Sequence, residues 1–164
     1  MRRSVWIAWV VAGCAGSDQE YRHSESGLSL NVPAGWEAET TGTGTTLSGP
    51  PGSAEHRTTI NIHSTPVRDD EVARTPESVA SALAVQYRAM DASHVRVRGR
   101  ERLARTDAWL VEARFDRDGT RYRRQQYVTE HRGRIVHLDA TAPETQWATL
   151  EPIFERALDT ARWR

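Results

Sequence analysis

The chain of 164 residues contains no lysine, only one cysteine and no apolar run long enough to span a bilayer as a helix. The single cysteine excludes an intrachain disulfide and any zinc site built from several cysteines. Because the formal charge is zero, binding to nucleic acid as a bulk polyelectrolyte is not implied. All 22 basic residues are arginine, which is typical of a GC-rich genome; arginine selected for bidentate contacts with carboxylate or phosphate is the alternative.

Motifs of the common enzyme classes are also missing. The chain has no Gly-x-Ser-x-Gly nucleophile elbow and no His-Glu-x-x-His zinc motif. Gly42 and Gly44 lack the lysine and the following helix of a phosphate-binding loop. We therefore expect no catalytic activity, no cofactor and no metal. An enzyme whose site is assembled from distant residues is the less favoured alternative.

The N-terminus has the pattern of an export signal. Met1-Arg2-Arg3 is a short basic region, Ser4 to Val11 is apolar, and small residues precede the only cysteine. Val11-Ala12-Gly13-Cys14 resembles the lipobox of bacterial lipoproteins, in which the cysteine becomes the lipid-modified first residue. That resemblance implies a signal peptide at 1–13, acyl chains such as palmitate on Cys14, and a polar tether over 14–20. Two or more acyl chains make membrane anchoring stable.

The expected location follows from the same resemblance. Ala15, rather than aspartate, follows Cys14, a pattern that resembles sorting to the outer membrane in didermal bacteria. We expect a lipid-anchored protein of the cell envelope that faces the periplasm there; the alternative is a hydrophobic N-terminal strand or helix with a buried Cys14. An exported protein meets little nucleic acid, so the arginines around Tyr122 and Tyr127 are not expected to form a nucleic-acid platform.

The stretch from Thr106 to Thr141 predicts three consecutive antiparallel strands. In the first, Trp109, Val111, Ala113 and Phe115 alternate with polar residues, which is the period of a half-buried strand. Asp-Gly and Arg-Gly pairs supply the two tight turns. Further strands are predicted on both sides of this meander, at 21–33, 36–40, 45–48, 57–65 and 95–103.

Two helices are predicted. Thr75 is the expected N-cap before Pro76. The apolar stripe that follows is expected to pack against the sheet as core, and its members are Val79, Leu83, Tyr87 and Met90. A second helix is expected from about Pro143 to Trp163. Within it Pro152 is expected either to kink the helix or to start a new one after Glu151.

Arginine alternates along the strand at 95–103. Arg96, Arg98, Arg100 and Arg102 are expected to project to one side, and Gly99 between them indicates a bulge or a close approach. One interpretation is a solvated face paired with acids of the neighbouring strand, such as Glu112 and Asp116. The other is an anion-binding surface for lipid phosphate or an acidic polymer, which Arg121, Arg123 and Arg124 would extend.

The order of these elements resembles the PsbP/DcrB-like superfamily. The residues that carry the resemblance are Gly27 to Trp36, the helix from Pro76 to Met90, the meander 106–141 and the closing helix with Trp147, Leu150, Phe154 and Leu158. It implies an α+β fold, a central antiparallel sheet with helices on both faces in an α/β/α sandwich, formed by a single domain over 21–164. It also implies a non-catalytic protein that docks on a partner protein or complex of the envelope. No partner-binding residues carry over from the family.

Overall fold

The computed structural model describes residues 18–42, 44–67 and 74–164. The predicted signal peptide 1–13 and the lipidation site Cys14 lie outside these residues. Of the predicted tether, only Asp18, Gln19 and Glu20 are described. Gln19 and Glu20 already belong to the first strand, Gln19–Arg22, so the tether ends two residues earlier than expected.

The centre of the molecule is a seven-stranded antiparallel sheet in the order β3-β4-β5-β9-β8-β7-β6. Its strands are β3 (Glu37–Thr41), β4 (Gly44–Ser48), β5 (Thr59–Pro66), β6 (Ser93–Leu103), β7 (Thr106–Arg117), β8 (Thr120–His131) and β9 (Arg134–Pro143). A second sheet of three short antiparallel strands has the order β1-β2-β10, with β1 (Gln19–Arg22), β2 (Leu28–Val32) and β10 (Arg162–Trp163). The predicted meander is confirmed as β7, β8 and β9.

Two α-helices cover opposite faces of the large sheet. Helix α1 (Pro76–Ala89) packs on β6, β7 and β8, whereas α2 (Trp147–Thr160) packs on β9 and on β2 of the small sheet. We name the two faces of the large sheet after these helices: the α1 face carries Val111 and Ala113, and the α2 face carries Leu138 and Ala140. The expected α+β sandwich with helices on both faces is confirmed.

The turns and the first helix form where local chemistry favours them. Asp118 and Gly119 at one hairpin, and Arg132 and Gly133 at the next, have the positive φ that tight two-residue turns require. Thr75 caps α1, because its hydroxyl accepts the backbone N–H of Ser78 at 3.1 Å while the Ser78 hydroxyl accepts that of Thr75. The predicted N-cap is confirmed.

The main core lies between the α2 face and the elements above it. Fully buried residues of β2, β5 and β9 meet Leu150 and Phe154 of α2, and the ring of Tyr127 lies 6.1 Å from that of Phe154. A smaller core joins α1 to its face through Ala80 and Tyr87. Because side chains alternate between the two faces along β7 and β9, each strand buries one set of residues under α1 and the other set under α2.

Three local predictions need correction. Met90 is 60% exposed at the end of α1, while Ala80 and Ala84 are buried, because the contact with the sheet turns toward the small residues of the helix. Helix α2 runs without interruption through Pro152, so it does not end at Glu151. A 3₁₀ turn (Glu144–Gln146) precedes α2, and the chain ends in β10, which the sequence patterns did not indicate.

Candidate functional site

The predicted anion-binding arginines do not all lie on one surface, since Arg124 is paired with Ala113 on the α1 face. A register shift between Arg98 and Glu101 interrupts the pairing of β6 with β7, and Arg100 within it has φ of 64°. Arg98 is paired with Leu110 on the α2 face, but after the bulge Arg102 is paired with Asp107 on the α1 face. The expectation that four arginines project to one side is therefore wrong, because a bulge inserts a residue and shifts the alternation.

Gly99 sits at this bulge against an aromatic ring. A Cβ at this position would lie 3.0 Å from the side chain of Trp109, so Gly99 allows the close approach of β6 to β7. Gly99 within the strand predicted a bulge or a close approach, and both are present.

The structure does bring together arginines from three strands on the α2 face. We call this group the arginine cluster: Arg96, Arg98, Arg114, Arg121 and Arg123. Each pairs across the sheet with a residue of the same face, and Arg96, Arg114 and Arg123 line a small cavity of about 120 Å³ together with Glu112. The guanidinium of Arg123 also lies 4.4 Å from the centre of the Trp147 ring.

Carboxylates are interleaved with the arginine cluster. Arg121 makes a bidentate pair with Asp116, with both N–O distances 3.0 Å, and these hydrogen bonds lower the pKa of Asp116. Arg98 lies 3.5 Å from Glu112, and Arg114 lies 3.2 Å from Glu144. The predicted pairing of β6 arginines with acids of the neighbouring strand is confirmed for Glu112, which pairs with Arg98, but Asp116 pairs instead with Arg121 of β8.

A second candidate site lies on the α1 face, and no sequence pattern predicted a cavity there. Helix α1 covers β6, β7 and β8, and a cavity of about 550 Å³ opens beside its C-terminal end. We call this cavity the α1 cleft. Its lining comes from β5, α1, β7, β8 and β9 and includes Asn61, Tyr87, Met90, Phe115, Tyr122, Arg124 and Thr141.

A polar network forms the floor of the α1 cleft. Arg124 donates through Nε to the Thr141 hydroxyl at 2.8 Å, lies 3.3 Å from the Asp139 carboxylate and donates through Nη1 to the Tyr87 hydroxyl at 3.0 Å. Tyr87 in turn donates to the Gln126 side chain at 2.7 Å. Asp139 also accepts a hydrogen bond from Asn61 at 2.9 Å. The network joins α1 to the three central strands of the sheet.

Burial perturbs the titration of two members of this network. Burial raises the pKa of the Tyr87 phenol, so the hydroxyl keeps its proton and donates at neutral pH. Burial, with the nearby His63 and Arg74, lowers the pKa of His137 to about 4, and Gln126 lies 3.0 Å from the His137 ring. Both groups are therefore uncharged near pH 7.

The signal that marks the α1 cleft in the sequence is a break in the apolar alternation. Arg124 and Gln126 on β8, and His137 and Asp139 on β9, occupy positions that share a face with the buried Val128 and Ile135. Four polar residues at core-facing positions are unusual unless they meet one another or a ligand. Sequence periodicity identifies these positions but not their partners.

Tyr122 and Tyr127 do not form one platform. They are an odd number of residues apart on β8, so Tyr122 lies on the α1 face beside Phe115, and Tyr127 lies in the core under α2. In the described residues, no helix is long and apolar enough to cross a membrane. The same ranges hold no group of three or more His, Cys, Asp or Glu side chains that could bind a metal ion together.

The fold has close structural counterparts despite low sequence identity. Cyanobacterial PsbP (CyanoP) from Synechocystis sp. PCC 6803 matches 94% of this chain and 96% of its own length, with a TM-score of 0.67 and 17% identity. The fold is PsbP-like. LpqN of Mycobacterium tuberculosis, described as involved in cell envelope biogenesis, matches 89% of this chain and 90% of its own at 14% identity and a TM-score of 0.54.

A third counterpart extends the range of proteins that share the fold. A point mutant of Mog1 matches 90% of this chain and 96% of its own length at 8% identity, with a TM-score of 0.56. No family model and no curated protein matches the chain at the level of sequence. The counterparts therefore confirm the PsbP-like fold expected from the sequence, and activity has to be argued from the sites themselves.

Proposed function

We propose that this protein is a non-catalytic lipoprotein of the cell envelope that docks on a partner protein or complex. The observation that carries the proposal is the lipobox-like Val11-Ala12-Gly13-Cys14 placed directly before a PsbP-like domain. The description of LpqN as involved in cell envelope biogenesis agrees with this location by analogy of fold.

The distance between the proposed anchor and the domain limits where the partner lies. Asp18 forms a salt bridge of 3.0 Å with Arg156 of α2, and β1 begins at the next residue. Three residues lie between Cys14 and Asp18, and the four Cα–Cα steps span about 14 Å at full extension. A lipid on Cys14 therefore holds α2 close to the bilayer surface, and the partner is a protein at that surface.

The engagement of the charged groups supports a binding role rather than catalysis. Arg124 donates a hydrogen bond to Tyr87 and forms an ion pair with Asp139, and arginines of the arginine cluster pair with carboxylates. A general acid or base needs a free position within hydrogen-bond reach of a substrate proton and a pKa near the working pH. Neither Tyr87, with its raised pKa, nor His137, with its lowered pKa, meets the second condition.

The anchor is tested by the intact mass of the protein extracted with detergent from its native membranes. Loss of residues 1–13 together with added diacylglycerol and acyl mass on Cys14 is the expected result. The Cys14→Ser variant keeps the size and polarity of the side chain but lacks the thiol, so it should leave the membrane fraction. An unmodified chain that begins at Met1 would overturn the lipoprotein proposal.

Docking is tested by cross-linking on the same membranes. A photoactivatable residue at Glu155, which is exposed on α2, should give one discrete adduct in wild-type membranes, and the Cys14→Ser variant should lose it. The same residue placed at Arg88 on α1, on the far side of the sheet, is the matched control. A turnover activity that disappears on a single polar substitution would contradict the non-catalytic proposal.

Anion binding through the arginine cluster is the second candidate. The convergence of Arg96, Arg114 and Arg123 on one cavity favours it, while the interleaved carboxylates oppose it. Replacing Arg96, Arg114 and Arg123 with glutamine removes the three guanidinium groups that line this cavity and should abolish salt-sensitive binding to anionic vesicles. Binding that survives all three substitutions would remove this candidate.

A further inference from the structure

The α1 cleft has the size and shape of a small-molecule site. Its volume of about 550 Å³ adjoins a second cavity of about 390 Å³, and the two share Thr59, Arg117, Tyr122 and Thr141. Pockets for small ligands occupy about 300–1,000 Å³ and combine apolar walls with a few convergent polar groups. The two cavities together form one elongated groove across the α1 face, which runs from Tyr87 to the beginning of β8 at Thr120.

One wall of the groove is apolar and aromatic. The rings of Phe115 and Tyr122 are stacked with centres 5.7 Å apart and planes inclined by 12°. Met90, the large hydrophobic residue at the end of α1, is 60% exposed at the rim, and Ala92 continues the same wall. Exposed apolar surface concentrated around a cavity favours a ligand with an apolar body.

The opposite side of the groove offers unused hydrogen-bond donors. The guanidinium of Arg124 uses Nε and Nη1 for Thr141 and Tyr87, while its Nη2 makes no hydrogen bond to any residue in the described part of the chain. The side chain is 28% exposed, whereas its partner Asp139 is 8% exposed. Asp139, Thr141 and Tyr87 thus hold Arg124 in place, and the Nη2 donors are left for a group that enters the cleft.

The charges around the groove favour an anion. Arg57, Arg117 and Arg124 contribute three positive charges along its length, against the carboxylates of Asp118 and Asp139. Asp116 is compensated separately by its bidentate pair with Arg121. One positive charge is therefore left over in the groove, and a planar acceptor is the group that a guanidinium binds best.

We propose that the α1 cleft binds a small carboxylate with an apolar body, in which the carboxylate accepts from Nη2 of Arg124 and the body packs on Phe115 and Tyr122. This inference goes beyond the docking function and does not depend on the lipid anchor. A single surplus charge fits a monoanionic carboxylate better than a phosphate, whose charge is closer to two.

The test compares an acid with its neutral isostere. The probes are 3-phenylpropionate and 3-phenylpropionamide, titrated into the full chain carrying Cys14→Ser at pH 7 and followed by backbone amide NMR. Shifts confined to residues of the cleft and about tenfold tighter binding of the acid are expected, because the charge-assisted hydrogen bond is lost in the amide. The proposal would be overturned by equal affinity for the two probes, by chemical-shift changes at residues outside the cleft, or by a lack of saturation with either probe.

Variants separate the two halves of the site. Arg124→Gln should lower the affinity for the acid by about tenfold and leave the amide unaffected. Tyr122→Thr introduces a residue that is also favoured in strands. It should weaken the binding of both probes equally, because it removes the apolar wall that both probes contact. Arg88→Gln, on the exposed side of α1, is the matched control and should bind both probes as the wild type does.

Arg124 also holds the polar network together, so its substitution risks the fold. If circular dichroism shows that Arg124→Gln is unfolded, the affinities of the acid and the amide are compared in Tyr122→Thr and in the protein with an unsubstituted cleft. That comparison still tests whether the cleft binds a carboxylate with an apolar body. Retention of wild-type affinity for both probes in Tyr122→Thr would contradict the proposed position of the apolar body.

Discussion

The two faces of the seven-stranded sheet are built on the same strands but have different chemistry. The α2 face is apolar where α2 and the small sheet cover it, and Leu138, Ala140 and Phe154 are no more than 1% exposed. On the α1 face, α1 packs on β6, β7 and β8, and the central strands β5, β9 and β8 present Asn61, Asp139 and Arg124. The first face therefore supplies most of the apolar burial, and the second supplies a cavity with polar groups.

This difference shows that one face of a sheet can provide most of the stability while the other face provides a binding site. An apolar face excludes water and gains free energy in proportion to the area it buries. A polar face makes a smaller gain, but its hydrogen-bonding groups are held by the rigid sheet in the geometry that a ligand needs. The α1 face can contain polar residues because most of the apolar core lies on the α2 face.

The largest effect is expected from a cavity in the covered face. Phe154→Ala removes a ring that is 1% exposed and packs on Tyr127, so unfolding in urea should show a loss of about 3–5 kcal/mol. Val85→Ala, at a position that is 64% exposed on α1, is the control and should change the free energy of unfolding by less than about 0.5 kcal/mol. Similar losses in the two variants would contradict the division between the faces.

A smaller, pH-dependent effect is expected on the α1 face. Because the pKa of His137 falls from 6.5 in the unfolded chain to about 4 in the fold, the unfolded state binds more protons between these values. The stability due to neutral His137 is complete above pH 6.5 and is lost as pH falls toward 4, in total about 3 kcal/mol.

The measurement is the free energy of unfolding as a function of pH in wild type and in His137→Gln. The variant should lose less stability than the wild type between pH 7 and pH 4, whatever other groups titrate in both. His56→Gln changes an exposed histidine on the 3₁₀ turn Ala54–Arg57 and should follow the wild type. Parallel curves for wild type and His137→Gln would show that His137 is not buried as described.

The smallest effect is expected at the start of α1, the helix that covers the polar face. Thr75→Ala removes the hydroxyl that accepts the Ser78 N–H, and should cost about 1 kcal/mol in chemical denaturation. Thr75→Ser retains the acceptor and should cost little. Equal losses in the two variants would mean that the cap is not the reason for any change.

Sequence patterns predicted the elements better than their contacts. Strict alternation identified β7 and β9, and the cap at Thr75 identified the start of α1, because both signals come from neighbours in the chain. The position of Arg102 was predicted wrongly, since a single bulged residue reverses every later side chain of β6. Met90 was placed in the core because periodicity cannot tell how far the sheet extends under a helix.

The candidate sites show the same limit. Arg98 was expected beside Glu112 because both lie on adjacent strands, and the ion pair is present. The α1 cleft was not expected, because Tyr87 is separated from Arg124 by 37 residues and Asn61 from Asp139 by 78. No pattern along the chain relates such residues.

The sequence by itself determined most of the strands and both helices, because periodicity, capping and turn chemistry act over a few residues, and the order of these elements carried the resemblance that implied the fold class. Only the tertiary structure decided which arginines share a face, which polar residues satisfy one another and where a cavity remains. Those outcomes depend on the register between strands and on the area that each helix covers, and both are set by packing of the whole chain at once.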